Sequence, residues 1–501
     1  MSVVKCQMLN VNSMTIERII EVIKTKHPDA DTTMVELAYE VAEKAHKGQE
    51  RMSGEEYIQH PLETAYKLAE MDIDIPTVIA GLLHDVPEET YITIDDIKKN
   101  FGSEIANLVA GITKLGTIKY RGLERYAENL RKMFMAIAQD VRVVFIKFAD
   151  RIHNLKTLYA LRPIKQQRIA KESLEIYAPI ASRLGMNELQ GEIEDLAFPF
   201  VYPEEYKWIV ERSKKKYEIR HRETEKEIKK IRKKLAEQDY IPLNIYGRAK
   251  RYYSLYRKLL RKDMDIDRIY DLVALRIIVK DTEECYQVLG ILHALYKPMT
   301  GRVKDYIAQP KPNGYRSLHT TVYSENKIIE LQIRTKEMEE EAEWGIAAHW
   351  SFKGSGNKKT KLSLDPKKLK WIKALLEQGN QDYNPEEYLD NLKMDFFKNR
   401  IFVFTPKGDV IDLPEDSIPI DFAYHIHTFI GDHTTGVKVN GRMVSLTKPL
   451  KSGDMVEIII DKKRSKPSED WIDKVQTSLA RDKIKQSLKT TNLERWFKIF
   501  K

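Results

Sequence analysis

The chain has 501 residues, with 84 Lys plus Arg against 75 Asp plus Glu and a net charge of +9 at pH 7. That length predicts roughly three domains, and the mild positive balance favours phosphate-rich partners without naming one. The two cysteines, Cys6 and Cys285, exclude a disulfide framework or a Cys-based zinc site and fit a reducing, cytoplasmic compartment. No apolar run approaches the roughly 18 residues of a membrane span, and the start MSVVKCQMLNVNSM has no secretory layout, so a membrane is not an expected partner; DNA is not expected either.

Up to about residue 200 the periodicity is helical, as in MVELAYEVAEKAHKG and TAYKLAEM, which predicts an all-α domain. This region carries a dispersed set of metal-ligand residue types. His60 sits in SGEEYIQHPLETA, His84 and Asp85 end TVIAGLLHDV, and Asp150 lies in VRVVFIKFADRIHNL, so each is carried on hydrophobic, helix-like sequence. Singly, each reads as a satisfied polar group near a core. Together, imidazole and carboxylate donors suit a shared divalent transition metal that compensates their burial and keeps positions open for water and substrate. Glu88 and Glu89 follow the central pair. Pro87 disfavours helical geometry at Val86, so the helix is predicted to end there and a loop to place the two acids.

Between residues 204 and 238 the sequence EEYKWIVERSKKKYEIRHRETEKEIKKIRKKLAEQ predicts a long, charged helix; interspersed acids favour a solvated connector over a nucleic-acid arm. From about residue 240 helix and strand mix. DLVALRIIVK reads as a strand that Asp271 begins. KIIELQIRT alternates so that Ile329, Leu331 and Ile333 face one way and Glu330, Gln332 and Arg334 the other. If these strands are neighbours, Asp271 and Glu330 can meet beside phosphates, hold magnesium and accept a proton from a hydroxyl. Between them, GRVKDYIAQPKPNGYRSLHT supplies cations at Arg302, Lys304 and Lys311, a tight turn at Asn313 and Gly314, and a ring for base stacking at Tyr315.

SFKGSGNKKTKLSLDPKK, rich in Gly, Ser and Lys, reads as a linker. Beyond it, short strands broken by PKGD, LPED, NGR and SGD predict a small β-grasp-like unit at about 400–460. His425 and His427 in AYHIH are two apart, as on one strand face, with no complementary ligands for a metal. DWIDKVQTSLARDKIKQSLK reads as an amphipathic basic helix that packs, binds RNA, or both.

The segments HKGQERMSG, YIQHPL, GLLHDVPEET and IKFADRIHNLKTL resemble the HD-type hydrolase domain of the RelA/SpoT family. The resemblance implies manganese-dependent removal of the 3′-pyrophosphate of ppGpp. It assigns Mn2+ to His60, His84, Asp85 and Asp150, the attacking water to Glu88 and Glu89, and nucleotide contacts to Arg51 and Asn154. Glu89 stands where Asp is usual and Met52 where Lys is common, which predicts altered substrate affinity with every metal ligand retained. The run from YGRAKRYYSLYRK through YDLVALRIIV, DYIAQPKPNGYRSLHT and ELQIRT to AEWGIAAHW is similar to the family's synthetase domain, of the nucleotidyltransferase type. That implies transfer of the β,γ-pyrophosphoryl group of ATP to GDP or GTP, giving ppGpp or pppGpp and AMP. Asp271 would bind Mg2+, Glu330 would activate the 3′-hydroxyl and Tyr315 would stack on guanine. Arg248, Lys250, Arg276, Arg302, Lys304, Lys311 and Asn313 would hold nucleotide and phosphate, with His319 nearby. The R-x-K-D pattern at residues 302–305 is typical of members with both activities.

The third unit resembles a TGS domain, through which a tRNA or ribosome contact is expected; His427 is then either an RNA contact or a packed histidine. The implied layout is a helical hydrolase domain over 1–200, charged connecting helices over 201–240, an α/β synthetase domain over 241–352, linker and helices over 353–399, a TGS domain over 400–461 and a basic helical tail over 462–501. Longer members continue to an ACT domain that this sequence lacks, so weak ribosome responsiveness is expected. The expected function is a bifunctional alarmone enzyme. The alternatives are a manganese-dependent hydrolase with a nucleotide-sensing synthetase domain, and a non-catalytic ribosome or tRNA adaptor.

Overall fold

The computed structural model describes residues 13–116, 123–269, 272–311, 313–324, 327–350, 400–461, 463–464 and 466–499. Asp271 and the expected linker at 353–399 therefore lie outside the described residues. The chain forms two compact units; of the described residues the first contains 13–116 and 129–350, and the second 123–128 and those from 400 to 499. Among the described residues no helix is long and apolar enough to cross a membrane.

The first unit begins with helices only: α1 (Ile16–Lys26), α2 (Thr33–Ala45), α3 (Gln59–Glu70), α4 (Ile75–Leu83), α5 (Val86–Glu89), α6 (Ile94–Gly116), α7 (Leu123–Gln139), α8 (Arg142–Lys156), α9 (Pro163–Glu172), α10 (Ala178–Arg183) and α11 (Asn187–Val201). Asp74 caps α4, its carboxylate accepting from Thr77 N, and the helix is apolar throughout because α3 and α2 cover it. Pro87 acts differently from the sequence expectation. The chain leaves α4 at His84, Asp85 becomes an N-cap, and Pro87 sits in the first turn of α5, where its missing N–H costs nothing. Glu88 and Glu89 are therefore held on a helical turn and not by a loop.

The charged stretch is one 34-residue helix, α12 (Pro203–Ala236). It is more than a solvated connector. Ile209 packs with Phe198, Leu255 and Leu259, while Ile228, Ile231 and Leu235 enter the core of the following sheet. That sheet contains β1 (Asn244–Ala249), β2 (Val273–Val279), β3 (Lys297–Pro298), β4 (Lys304–Asp305), β5 (Leu318–Ser324) and β6 (Lys327–Thr335), with helices α13 (Tyr252–Leu260), α14 (Thr282–Leu295) and α15 (Lys336–Trp344). Its order is β1-β2-β6-β5-β3, with β4 on β5. β2 and β6 are parallel neighbours with Leu275 opposite Leu331, as the site required, while β5 and β6 are antiparallel. Leu331 and Ile333 face the α12 and α14 side; Glu330, Gln332 and Arg334 share the other face.

The second unit has a hairpin of β7 (Arg400–Phe404) and β8 (Val410–Pro414), helices α16 (Pro419–Ile426) and α17 (Thr428–Asp432), and a sheet in the order β10-β9-β11, from β9 (Thr434–Val439), β10 (Arg442–Val444) and β11 (Val456–Ile460). Phe422 of α16 joins Val403, Leu413, Val437 and Val456 in its core. The AYHIH segment is thus helix and turn, not a strand face. The final helix α18 (Ser478–Ile499) packs Ala480 and Ile484 against Ile420 and Tyr424.

Candidate active sites

Three helices and one turn bring the first set together. His60 of α3, His84 at the end of α4 and Asp150 of α8 are buried, and one ligand atom from each lies within 4.8 Å of the others. His60 Nε2 is 3.4 Å from both Asp85 Oδ2 and Asp150 Oδ1, and His84 Nε2 is 3.2 Å from Asp85 Oδ1. His84 Nδ1 lies 2.8 Å from the Gly81 carbonyl, which fixes the tautomer with Nδ1 protonated. Its Nε2 is buried without a hydrogen-bond partner. A buried lone pair aimed at two carboxylates and a second imidazole is what a divalent cation would satisfy, so the donor set fits a metal.

Around these donors, beside the expected Arg51, Asn154, Glu88 and Glu89, lie Tyr57, Lys147 and His153, which the sequence reading passed over. His60 Nδ1 is 2.8 Å from His153 Nδ1, and Arg51 Nη1 approaches the same atom at 3.4 Å. Burial first, then His60 and Arg51, push the His153 imidazole down to about 2, so it is neutral and accepts at Nδ1. His60 therefore donates from Nδ1 and presents Nε2 toward the carboxylates. Lys147 Nζ is 2.6 Å from Asp150 Oδ2; although burial opposes a charged carboxylate, this ammonium holds Asp150 well below the ordinary range. Asn154 donates to Asp150 Oδ1 and accepts from Arg51 Nη2 at 2.6 Å, while Tyr57 donates to Asp85 Oδ2 at 3.0 Å. Lys147, Asp150, His153 and Asn154 are spaced by three or four on one helix face, a signal present in IKFADRIHN. Burial, then the Asp85 charge, raises the Glu88 carboxyl above its usual value. Glu89 accepts through its carbonyl from Gln49 Nε2 at 3.0 Å, tying α5 to the loop that carries Arg51.

The second set surrounds a cavity of about 250 Å³ lined by Glu330 and Gln332 of β6, Arg248 and Lys250 around the end of β1, and Gln190 and Glu194 of α11. Arg276 also lines it; its Nη1 donates to Glu339 at 2.7 Å and Glu343 at 3.2 Å, and its Nε is buried without a hydrogen-bond partner. These bonds tie β2 to α15 at the cavity wall. Arg248 pairs with Glu188 at 2.7 Å, and Arg251 donates to the other oxygen of the same carboxylate.

Lys304, Lys311, Asn313, Tyr315 and His319 form a separate cluster on the β4–β5 side, and Arg302 lies two residues before Lys304. Gly314, at φ +83, closes the expected turn: its N–H reaches Lys311 O at 2.8 Å, and Asn313 Oδ1 accepts from Tyr315 N at 3.2 Å. Arg302 and Lys304 are exposed, but Asp305 is structural, accepting from Ile307 N and Ala308 N at 2.9 and 2.8 Å. Lys311 Nζ sits 4.7 and 4.8 Å from the Tyr306 and Tyr315 ring centroids. Its ammonium is pushed down to about 8 by burial, with Lys304 and Arg334 adding to the effect. His319 Nδ1 lies 3.7 Å from Glu330 Oε1, which links this cluster to the cavity.

In the second unit His427 is exposed between α16 and α17, and its Nδ1 accepts from Phe429 N at 3.1 Å. It is a helix cap with its other edge in solvent, not a packed core histidine.

Comparison with known proteins follows this division. Residues 38–187 match the HD domain family, residues 247–357 the region found in RelA/SpoT proteins, and residues 401–460 the TGS domain. The chain is 46% identical over 493 residues to the guanosine-3′,5′-bis(diphosphate) 3′-pyrophosphohydrolase of Aquifex aeolicus, covering 98% of this chain and 69% of that one. It is 44% identical to the bifunctional (p)ppGpp synthase/hydrolase SpoT of Escherichia coli, covering 96% and 68%.

The chain belongs to the RelA/SpoT family.

A third relative, the GTP pyrophosphokinase of Myxococcus xanthus, is 43% identical over 96% of this chain and 63% of its own length. The chain thus spans about two thirds of these RelA/SpoT relatives. The HD match implies a divalent metal, for which the buried His60, His84 and Asp150 are the donors at hand.

Proposed function

We propose that this RelA/SpoT protein both makes and degrades (p)ppGpp in the cytosol. The observation that carries the reading is the presence in one chain of a buried His-His-Asp cluster and a separate polar cavity bordered by Glu330 and cationic residues. For hydrolysis, His60, His84, Asp85 and Asp150 would hold Mn2+, which when bound lowers the pKa of water and neutralises phosphate charge. Glu88 and Glu89 take the proton of the attacking water. The raised Glu88 carboxyl is nearer the working pH, as a proton-transfer group should be. The bond from the 3′-oxygen to phosphorus breaks, leaving GDP and pyrophosphate. Arg51, positioned by Asn154, meets the nucleotide.

For synthesis, Glu330 accepts the proton of the 3′-hydroxyl of GDP or GTP. That oxygen attacks the β-phosphorus of ATP, AMP departs, and ppGpp or pppGpp results. Lys250 and Arg248 face the triphosphate, Arg302, Lys304 and Lys311 neutralise charge across the site, and Tyr315 stacks on guanine after Lys311 leaves its ring. Asp271 would hold Mg2+. His427 offers its solvent-facing edge to RNA.

Two variants test the separation of sites. His84→Ala should abolish ppGpp breakdown and leave synthesis intact, and Glu330→Gln should do the reverse. Loss of both activities in either variant contradicts the assignment.

A further inference from the structure

Arg334 has no part in the scheme above, yet it is fully buried beside the synthetase residues. A guanidinium brings five donors and a permanent charge into the interior, and both must be matched there. Glu339 Oε2 lies 2.9 Å from Nη1 and balances the charge. The other terminal nitrogen does something more specific. Nη2 donates to Tyr315 Oη at 2.9 Å and to Gln332 Oε1 at 2.7 Å.

Because a guanidinium can only donate, both recipients are polarised in one sense. Tyr315 Oη accepts from Arg334 and lies 2.7 Å from His319 Nε2, to which it donates its own proton in the tautomer that leaves Nε2 as acceptor. In that tautomer the imidazole, held neutral as burial and then Arg334 depress it to about 3, carries its proton on Nδ1. That Nδ1–H faces Glu330 Oε1 at 3.7 Å, outside hydrogen-bond length but brought within it by a shift of under about 1 Å. Gln332, with its oxygen turned to Arg334, has only its amide nitrogen left, and Nε2 donates to the same Glu330 Oε1 at 2.9 Å. Two donor-directed paths from one guanidinium converge on one carboxylate oxygen. No hydrogen bond from a described residue reaches Oε2.

We propose that Arg334 is a positioning residue of the synthetase site, fixing Glu330 through Tyr315–His319 and through Gln332 so that Oε1 is anchored and Oε2 takes the proton of the acceptor hydroxyl. The inference rests on Glu330 as the base. It adds that Tyr315 has a second task, performed by its hydroxyl and separable from stacking by its ring.

The experiment is steady-state synthesis from ATP and GDP by Tyr315→Phe, Arg334→Met and Glu330→Gln, with ppGpp hydrolysis as the fold control. Tyr315→Phe keeps the ring and should lower kcat about tenfold with KM for GDP changed less than about twofold; Arg334→Met, which cuts both paths, should lower kcat about a hundredfold. Unaltered kcat in Tyr315→Phe, or a loss confined to KM, overturns the proposal while an inactive Glu330→Gln preserves the base. An active Glu330→Gln overturns the underlying reading as well. Tyr315→Phe preserves side-chain volume and decides the matter even if Arg334→Met does not fold.

Discussion

Asp150 and His84 are both buried at one donor cluster, yet their loss should have different costs. Asp150 is the counter-charge of buried Lys147, so Asp150→Ala leaves that ammonium without its 2.6 Å partner and should cost roughly 3 kcal/mol. His84 balances no buried charge: its Nε2 has no hydrogen-bond partner, and its one bond, from Nδ1 to Gly81 O at 2.8 Å, joins neutral groups. We predict that both variants lose ppGpp hydrolysis, but that denaturant unfolding in chelator finds Asp150→Ala substantially less stable and His84→Gln close to the parent. Equal destabilisation would contradict the Lys147 argument. Lys311 provides a pH test. Its ammonium, depressed to about 8, is partly deprotonated from about pH 8 upward, and a bound phosphate favours the charged form. GDP binding near pH 8 should therefore take up a fraction of a proton, seen as buffer-dependent heat in calorimetry and lost in Lys311→Met. Proton release would reverse the sign and reject the contact. At this scale His60, His84, Asp85 and Asp150 were legible because each is an incongruous polar residue on an apolar stretch. Arg334 was not: its alternation with Leu331 and Ile333 reads as a solvent face, and only the cover supplied by Tyr315 and Glu339 makes it interior.

At the scale of elements, α11 deserves a direct test because it carries Glu188 into contact with Arg248 and Arg251. Phosphates of a bound nucleotide must compete with this carboxylate for the same guanidiniums. Glu188→Gln should lower KM for ATP about threefold, a modest effect because the pair is partly exposed, and leave ppGpp hydrolysis unchanged. A raised KM would instead make Glu188 an organiser of the site. Strands β2 and β6 were readable from β-branched runs and period-two alternation. Helix α12 was readable as a helix but not as a core element, since Ile228, Ile231 and Leu235 are thinly spread among lysines and glutamates. AYHIH misled because its alternation outweighed a helix-start signal, Pro419 in the first turn with Asp421 three residues beyond Ile418, whose N–H it accepts at 2.9 Å. Pro87 misled in the opposite way, since a proline that ends one helix can also open the next.

Across the first unit, α11 lines the synthetase cavity and packs on α8, which carries Asp150, and a close backbone crossing lies beside it. Gly345, at φ +57, passes so near the turn after α10 that a Cβ there would stand 2.3 Å from Leu184 O, and Gly185 in turn approaches Asn313 O. Ile346 N donates to Leu184 O at 2.9 Å, and Asn187 Nδ2 to Ala342 O at 2.6 Å. Opposed activities would consume ATP without net product if both ran at once. We propose that through this contact nucleotide in the synthetase cavity biases the helices that carry the candidate metal donors. Hydrolysis that is insensitive to synthetase-site nucleotide would count against that coupling. The central claim, that one chain performs both reactions, is tested most directly by a time course of the purified protein with ATP, GDP and magnesium, with manganese added part-way and nucleotides separated by anion-exchange chromatography. The account predicts that ppGpp and AMP accumulate, and that manganese then converts ppGpp to GDP and pyrophosphate. Breakdown of supplied ppGpp without any synthesis would leave a hydrolase with a nucleotide-sensing domain, and no turnover of either kind would contradict the enzyme reading altogether.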